Sequence, residues 1–305
     1  MESHLGEFAA LLTTVFWTVT ALSFETASKR IGSLHLNLLR LALATVFLAV
    51  FSFFHRGLFF PFDASLHSVI WLAASGMAGF VIGDYALFKA FNITGARVAM
   101  LMMTLAPVFA ALAAWLLLGE LMSGKNLIAM LVTLAGIALV IFTRTSDESS
   151  GGTSIKKKYA MSYPPKGIIL GIIAAAGQGV GLVLSKYGMR DYDPFAASQI
   201  RVLTGFAGFA VLFSMLGRWK ELPTSFADKK AMKWLVVGSV FGPFLGVSFS
   251  LIAVQNTSAG IAQTIMSLVP VIIIIPSVFI KKEKVTFREI LGAVVAVSGV
   301  AMFFY

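Results

Sequence analysis

The chain has no cysteine, little proline and very few charges. Without cysteine there is no disulfide framework, no thiolate nucleophile and no Cys-based metal site. Only 12% of the 305 residues are charged, whereas a soluble domain carries about 25%. Half the usual charge does not coat a water-facing surface. The four histidines (His4, His35, His55 and His67) show no metal-ligand spacing. No P-loop, nucleophile elbow or nucleic-acid motif occurs, which argues against an ATP-driven pump, a conventional hydrolase and a nucleic-acid partner. A basic amino-terminal region is missing too. The chain starts "MESHLGE", so its first apolar run reads as a retained helix rather than a cleaved signal.

Long apolar runs are what the chain does have. Hydrophobic residues make up 58% of it, and a run of about 20 residues crosses the hydrocarbon core as a helix. Ten such runs are visible, at about 7–26, 34–54, 68–91, 96–118, 126–143, 167–187, 195–216, 233–254, 259–280 and 288–305. The expectation is an all-α, multi-pass protein of the cell membrane with ten transmembrane helices. Its net charge of +10 sits in short loops beside apolar helices, where it fits attraction to anionic lipid better than to nucleic acid.

A polar stretch, residues 144–166, divides the runs into two groups of five. Its Ser/Gly-rich middle buries too little to order itself, and Lys156, Lys157 and Lys158 fit the lipid phosphates. The groups, 1–143 and 167–305, repeat one another. Residues 79–142 lie on 242–305 without a gap, matching Gly79 with Gly242, Gly83 with Gly246, Pro107 with Pro270, Glu120 with Glu283 and Gly136 with Gly299. Upstream, Gly6 matches Gly167, Trp17 matches Gln178 and Arg40 matches Arg201. Five helices is an odd number, so the second repeat enters the membrane inverted relative to the first. Inverted repeats suit alternating access, because they build two gates of similar construction.

The segment "GDYALFKAFNITGARVAMLMMTLAPVFAALAAWLLLGE", followed by "LVTLAGIALVIF" and its weaker echo near the C-terminus, resembles the EamA-type drug/metabolite transporters over essentially the whole chain. The second repeat reads "IKKEK" (280–284) where the first reads "LGE". The resemblance implies that the first four helices of each repeat surround a central cavity, with helices 5 and 10 outside. It does not imply one substrate.

Charges within apolar helices cost about 2.5–3.5 kcal/mol at the helix centre, so they face protein or water. With spans centred in the bilayer, Arg40 and Asp84 both fall ~6 Å from the midplane on the same side and are placed to pair. Glu25 and Lys89 lie nearer that surface, either paired or snorkelling. Arg201 matches Arg40, but Val247 stands where Asp84 would, so Arg201 has no acid in its own repeat. It suits a carboxylate or phosphate, or else packs on helix-end carbonyls. Lys186 is within reach of Asp191 or Asp193 in the adjoining loop.

The substrate-binding or coupling candidates are therefore Trp17, Asn37, Arg40, Asp84, Thr104, Gln178, Arg201, Gln263 and Ser267. Of these, the neutral residues serve equally as ordinary interhelical hydrogen-bonding groups. Gly79, Gly83, Gly242 and Gly246 are small residues for close helix approach, and Pro107 and Pro270 are kinks that shape a gate. No catalytic group, cofactor or metal is expected. The leading reading is a secondary transporter, an exporter or exchanger, of a small polar metabolite bearing a carboxylate, such as an amino acid or organic acid, with membrane lipids as surroundings and protons as a candidate coupling ion. The rivals are a membrane-embedded lipid-modifying enzyme, a multidrug efflux carrier and a lipid-associated structural protein.

Overall fold

The computed structural model describes residues 4–148, 164–273, 276 and 287–302. Among these, every regular element is helical. Apolar runs take this form because a helix satisfies each backbone N–H and C=O internally where lipid offers no partner. In the first half, α1 (Leu5–Ile31), α2 (Ser33–Arg56) and α3 (Leu66–Gly76) are followed by a π-helical segment, Met77–Asp84. Next come α4 (Tyr85–Met103), α5 (Ala106–Leu118) and α6 (Gly124–Glu148).

The second half has α7 (Pro165–Met189), α8 (Pro194–Met215), a short α9 (Leu222–Ala227) and α10 (Lys229–Ser239). A second π-helical segment, Val240–Gly246, leads into α11 (Val247–Asn256), α12 (Ala259–Met266), α13 (Val269–Ile272) and α14 (Phe287–Ala301). Six of the described helices are long and apolar enough to cross a membrane, and three shorter ones are apolar. Most of the linker 144–166, the "IKKEK" stretch and Glu283 lie outside the described residues.

Each half embraces the first helix of the other. Down α7, Gly188 meets Trp71 and Leu72, Gly181 meets Gly79, and Gly177 meets Gly83, so α7 runs antiparallel to α3 and the π segment. Up the same helix, Gly171 meets Met102 and Gly179 meets Ala106 and Ala110, so α7 runs parallel to α5. The direction of packing thus reverses across α4, which runs as one helix through the gap expected at 91–96. On α1, Phe24 meets Gly238, Thr20 meets Gly242 and Trp17 meets Gly246, while Gly6 meets Thr257. The Thr14 hydroxyl donates to the Ile265 carbonyl at 3.2 Å. In both halves the glycines let backbones approach, which stabilises helix contacts where lipid supplies no hydrophobic drive.

Helix irregularities also recur at matching places. The two π segments fall on the matched Gly79–Gly83 and Gly242–Gly246 stretches. Two breaks, Thr104–Leu105 and Ser267–Leu268, precede α5 and α13. Pro107 and Pro270 do not kink a helix from within. Each stands in the first turn of the helix after a break, where the missing N–H costs nothing. The discontinuity lies upstream because a proline ring clashes with the carbonyl four residues before it. α6 and α14 pack on each other through Gly136 and Gly299.

Candidate functional site

Where the two halves meet, a cavity of about 160 Å³ is lined by Trp17, Thr20, Phe24, Arg40, Phe80, Asp84, Phe88 and Met103 from the first half. Gln178, Gly242, Pro243, Val247, Gln263 and Val269 line it from the second. An adjoining chamber of about 60 Å³ is walled by Trp17, Met103, Thr104, Gln263, Met266, Ser267 and Val269. Both helix breaks therefore border the smaller chamber.

The charged end of the cavity is a buried network. Arg40 Nη2 forms an ion pair with Asp84 Oδ2, and both residues are buried. Gln178 Nε2 donates to Asp84 Oδ1 at 2.7 Å and to the Gly79 carbonyl at 3.3 Å. Arg40 Nε donates to Asn37 Oδ1 at 2.9 Å, and Asn37 in turn donates to the Ser33 carbonyl. Each carboxylate oxygen thus has one donor, as a buried charge requires. The Arg40 guanidinium lies 5.4 Å from the Phe24 ring, 5.9 Å from Phe80 and 5.4 Å from Phe88. Such faces attract cations.

Arg201 approaches the same centre from the other side. Its guanidinium lies 5.3 Å from the Phe80 ring and beside Gly79, and it is buried with Nε unpaired. It acts electrostatically on Asp84. The acid whose field acts on Arg201 lies in the opposite half, with no direct ion pair between the two, and the sequence comparison within one repeat did not reveal it. It is not among the residues that line either chamber. One carboxylate faces two guanidiniums, leaving an excess positive charge.

The other candidates divide. Trp17 and Gln263 line both chambers, Gln178 lines the larger, and Thr104 and Ser267 line the smaller. Asn37 sits behind Arg40, fully buried. Gly242 lines the cavity, while Gly79, Gly83 and Gly246 serve the helix approach around it. Glu25 has Lys29 as a partner at 2.6 Å, and Lys89 lies over the Tyr85 ring. Sequence reasoning missed Phe24, Phe80 and Phe88. Three phenylalanines among 27 carry no mark of their own, although spacing opposite a buried Arg is a usable signal.

One end of the bundle is closed by a second polar cluster. Lys186 Nζ pairs with Glu120 Oε1 at 2.6 Å and donates to the Thr257 carbonyl at 2.6 Å. Glu120 Oε2 accepts from the Ala259 N–H at the start of α12, and the Thr257 hydroxyl donates to Glu7. Lys186 thus reaches Glu120 and not Asp191 or Asp193. Asp193 is occupied as the N-cap of α8, accepting from the Ala196 N–H at 2.8 Å. Tyr192, in the loop after α7, donates to Asp63 at 2.9 Å, and burial pushes its hydroxyl up to about 12, so it remains a donor. No group of three potential metal ligands occurs among the described residues.

An all-helical bundle with membrane-length helices, and a largely apolar internal cavity with a buried charged network at one end, defines a multi-pass membrane protein. The model of the EamA-like transporter family matches residues 4–142 and again 165–305. The chain belongs to that family. An uncharacterized transporter of Archaeoglobus fulgidus is 29% identical over 127 residues, 41% of this chain and 42% of that protein. The uncharacterized inner membrane transporter YhbE of Escherichia coli K12 is 31% identical over 143 residues, 45% of this chain and 42% of that protein. The match thus spans less than half the length of these two relatives. An uncharacterized transporter of Clostridium kluyveri is 23% identical over 75% of this chain and 70% of its own. One solved crystal structure has the same fold, with a TM-score of 0.73 at 16% identity, covering 97% of this chain and 96% of that one. Family and relatives point to a transporter rather than an enzyme.

Proposed function

We propose that the chain is a secondary transporter, exporting or exchanging a small polar metabolite that bears a carboxylate, by alternating access. In this reading residues 1–143 and 167–305 are two inverted five-helix repeats joined by the linker 144–166, giving ten crossings. The observation that carries it is the Arg40–Asp84–Gln178 network in a cavity walled by both halves. Such interfaces between inverted repeats near the midplane are where transporters bind solute. The paired contacts of α1 and α7 and the matched π segments support the inversion.

Arg40 is the group placed to contact the carboxylate, since its planar fork binds it bidentately. Arg201 contributes its field from behind Phe80, and charge acts more strongly in such a site than in water. Asp84 is the candidate proton carrier. Counterflow into proteoliposomes tests the reading with a labelled amino acid, its amide and the lipophilic cation tetraphenylphosphonium. The acid should move fastest. Preferred movement of the cation would favour a multidrug carrier, and chemical alteration of a lipid instead of flux would favour an enzyme.

A further inference from the structure

Two glutamines face the cavity and they are not in the same state. The Gln178 amide is committed to Asp84 and Gly79. The Gln263 amide has no hydrogen-bond partner among the described residues, although the residue is only 4% exposed and lines both chambers. The Trp17 indole, which lines both chambers from α1, has an N–H likewise without a partner among the described residues. The neighbouring Ser267 hydroxyl is spent on the Gln263 carbonyl at 2.8 Å. A primary amide offers two donors and two acceptor directions, and these face the chambers, open to whatever occupies them. The other residues common to both chambers, Met103 and Val269, are apolar.

We propose that the junction of the two chambers is a second polar subsite, which binds a neutral hydrogen-bonding group carried by the solute away from its ionised head. Resting on the transport reading above, this narrows the substrate class to bifunctional solutes. One end is ionised and lies at Arg40, Asp84 and Gln178. The other is an amide, hydroxyl or carbonyl held between the Gln263 amide and the Trp17 N–H, with an apolar stem against Trp17 and Met103. A site built to hydrogen-bond a group discriminates against an analogue lacking it, because its own polar atoms are then left unpaired.

The test uses four probes that vary head and tip independently: glutamine, the isosteric homoleucine, and the carboxamides of both. Each is titrated against the thermal unfolding of the purified full chain, since ligands stabilise the state they bind. Wild type should bind glutamine about tenfold more tightly than homoleucine, the scale of one neutral hydrogen bond. That ratio should fall to about one in Gln263→Leu, with the preference for acid over amide unchanged. Trp17→Phe keeps an aromatic side chain while losing the N–H with the five-membered ring, so it should lose part of the preference, and it carries the test if Gln263→Leu does not fold. Equal binding of glutamine and homoleucine to wild type overturns the subsite, as does a preference that survives both variants. Equal binding of acid and amide overturns the anionic-head reading alone. Absence of binding by all four overturns both.

Discussion

The two halves share a scaffold and differ in chemistry. Phe24, Thr20 and Trp17 of α1 lie on Gly238, Gly242 and Gly246, while Ser185, Gly181 and Gln178 of α7 lie on Ser75, Gly79 and Gly83. These are the same sequence-matched positions with different side chains. Arg40 has Asp84 in its own half, whereas Arg201 faces Val247 in sequence and lies over Phe80 across the interface, without an ion-pair partner among the described residues. The ends differ as well. Lys186 meets Glu120, but its matched position is Glu25, which takes Lys29 instead. Duplication fixes backbone geometry through small residues and proline. The polar positions are then free to diverge, so one half becomes the charged centre and the other its partner.

Breaking the charged centre should give the largest effect. Asp84→Asn or Arg40→Gln leaves a buried charge without its counterion and should cost about 3–5 kcal/mol, read from unfolding in mild detergent. The double variant should recover part of that loss, and simple additivity would show that the two do not act as a pair. If Arg201→Gln costs as much as Arg40→Gln, the halves are electrostatically equivalent and the contrast drawn above is wrong. Asp84→Asn should also abolish any dependence of the remaining flux on a pH gradient.

Matched glycines sharpen the comparison at an intermediate scale. A Cβ at Gly246 would come within 2.6 Å of the Phe241 carbonyl and 2.7 Å of Trp17 Cδ1. At Gly83 the nearest atoms are the Ala78 carbonyl at 3.1 Å and Gln178 Nε2 at 3.5 Å. Gly246→Ala should therefore cost about 1–3 kcal/mol, as overpacking does, and Gly83→Ala clearly less. Equal melting temperatures for the two variants would show that the π segments absorb either side chain.

The closed end should respond least. Lys186→Gln removes the pair to Glu120, whose side chains are 21% and 24% exposed, and should cost about 1 kcal/mol. The chain lacks cysteine, so a cysteine placed at Met266, on the wall of the smaller chamber, reports access without background. Its modification by a membrane-impermeant maleimide added from the Thr257 side should speed up in Lys186→Gln. An unchanged rate would mean that the apolar packing around Leu251 and Val254 closes that end by itself.

Much of this was legible in the sequence. Scarce charge and long apolar runs determined a helical membrane protein, because lipid admits no unsatisfied backbone. The recurrence of Gly79, Gly83 and Pro107 as Gly242, Gly246 and Pro270 marked the repeat. Helical rise alone put Arg40 and Asp84 at one depth, which is a one-dimensional property that spacing preserves. Whatever depends on how one half faces the other was decided only by the tertiary structure. Arg201 comes to Gly79 and Phe80, beside the Asp84 network, because α7 and α8 pack against α3, and Lys186 reaches Glu120 because α7 lies along α5. That Trp17 and Gln263, 246 positions apart in the chain, line the same two chambers has no sequence signature. A buried polar side chain is compatible with many partners, and only close packing of helices selects the one it meets or leaves it open towards a cavity.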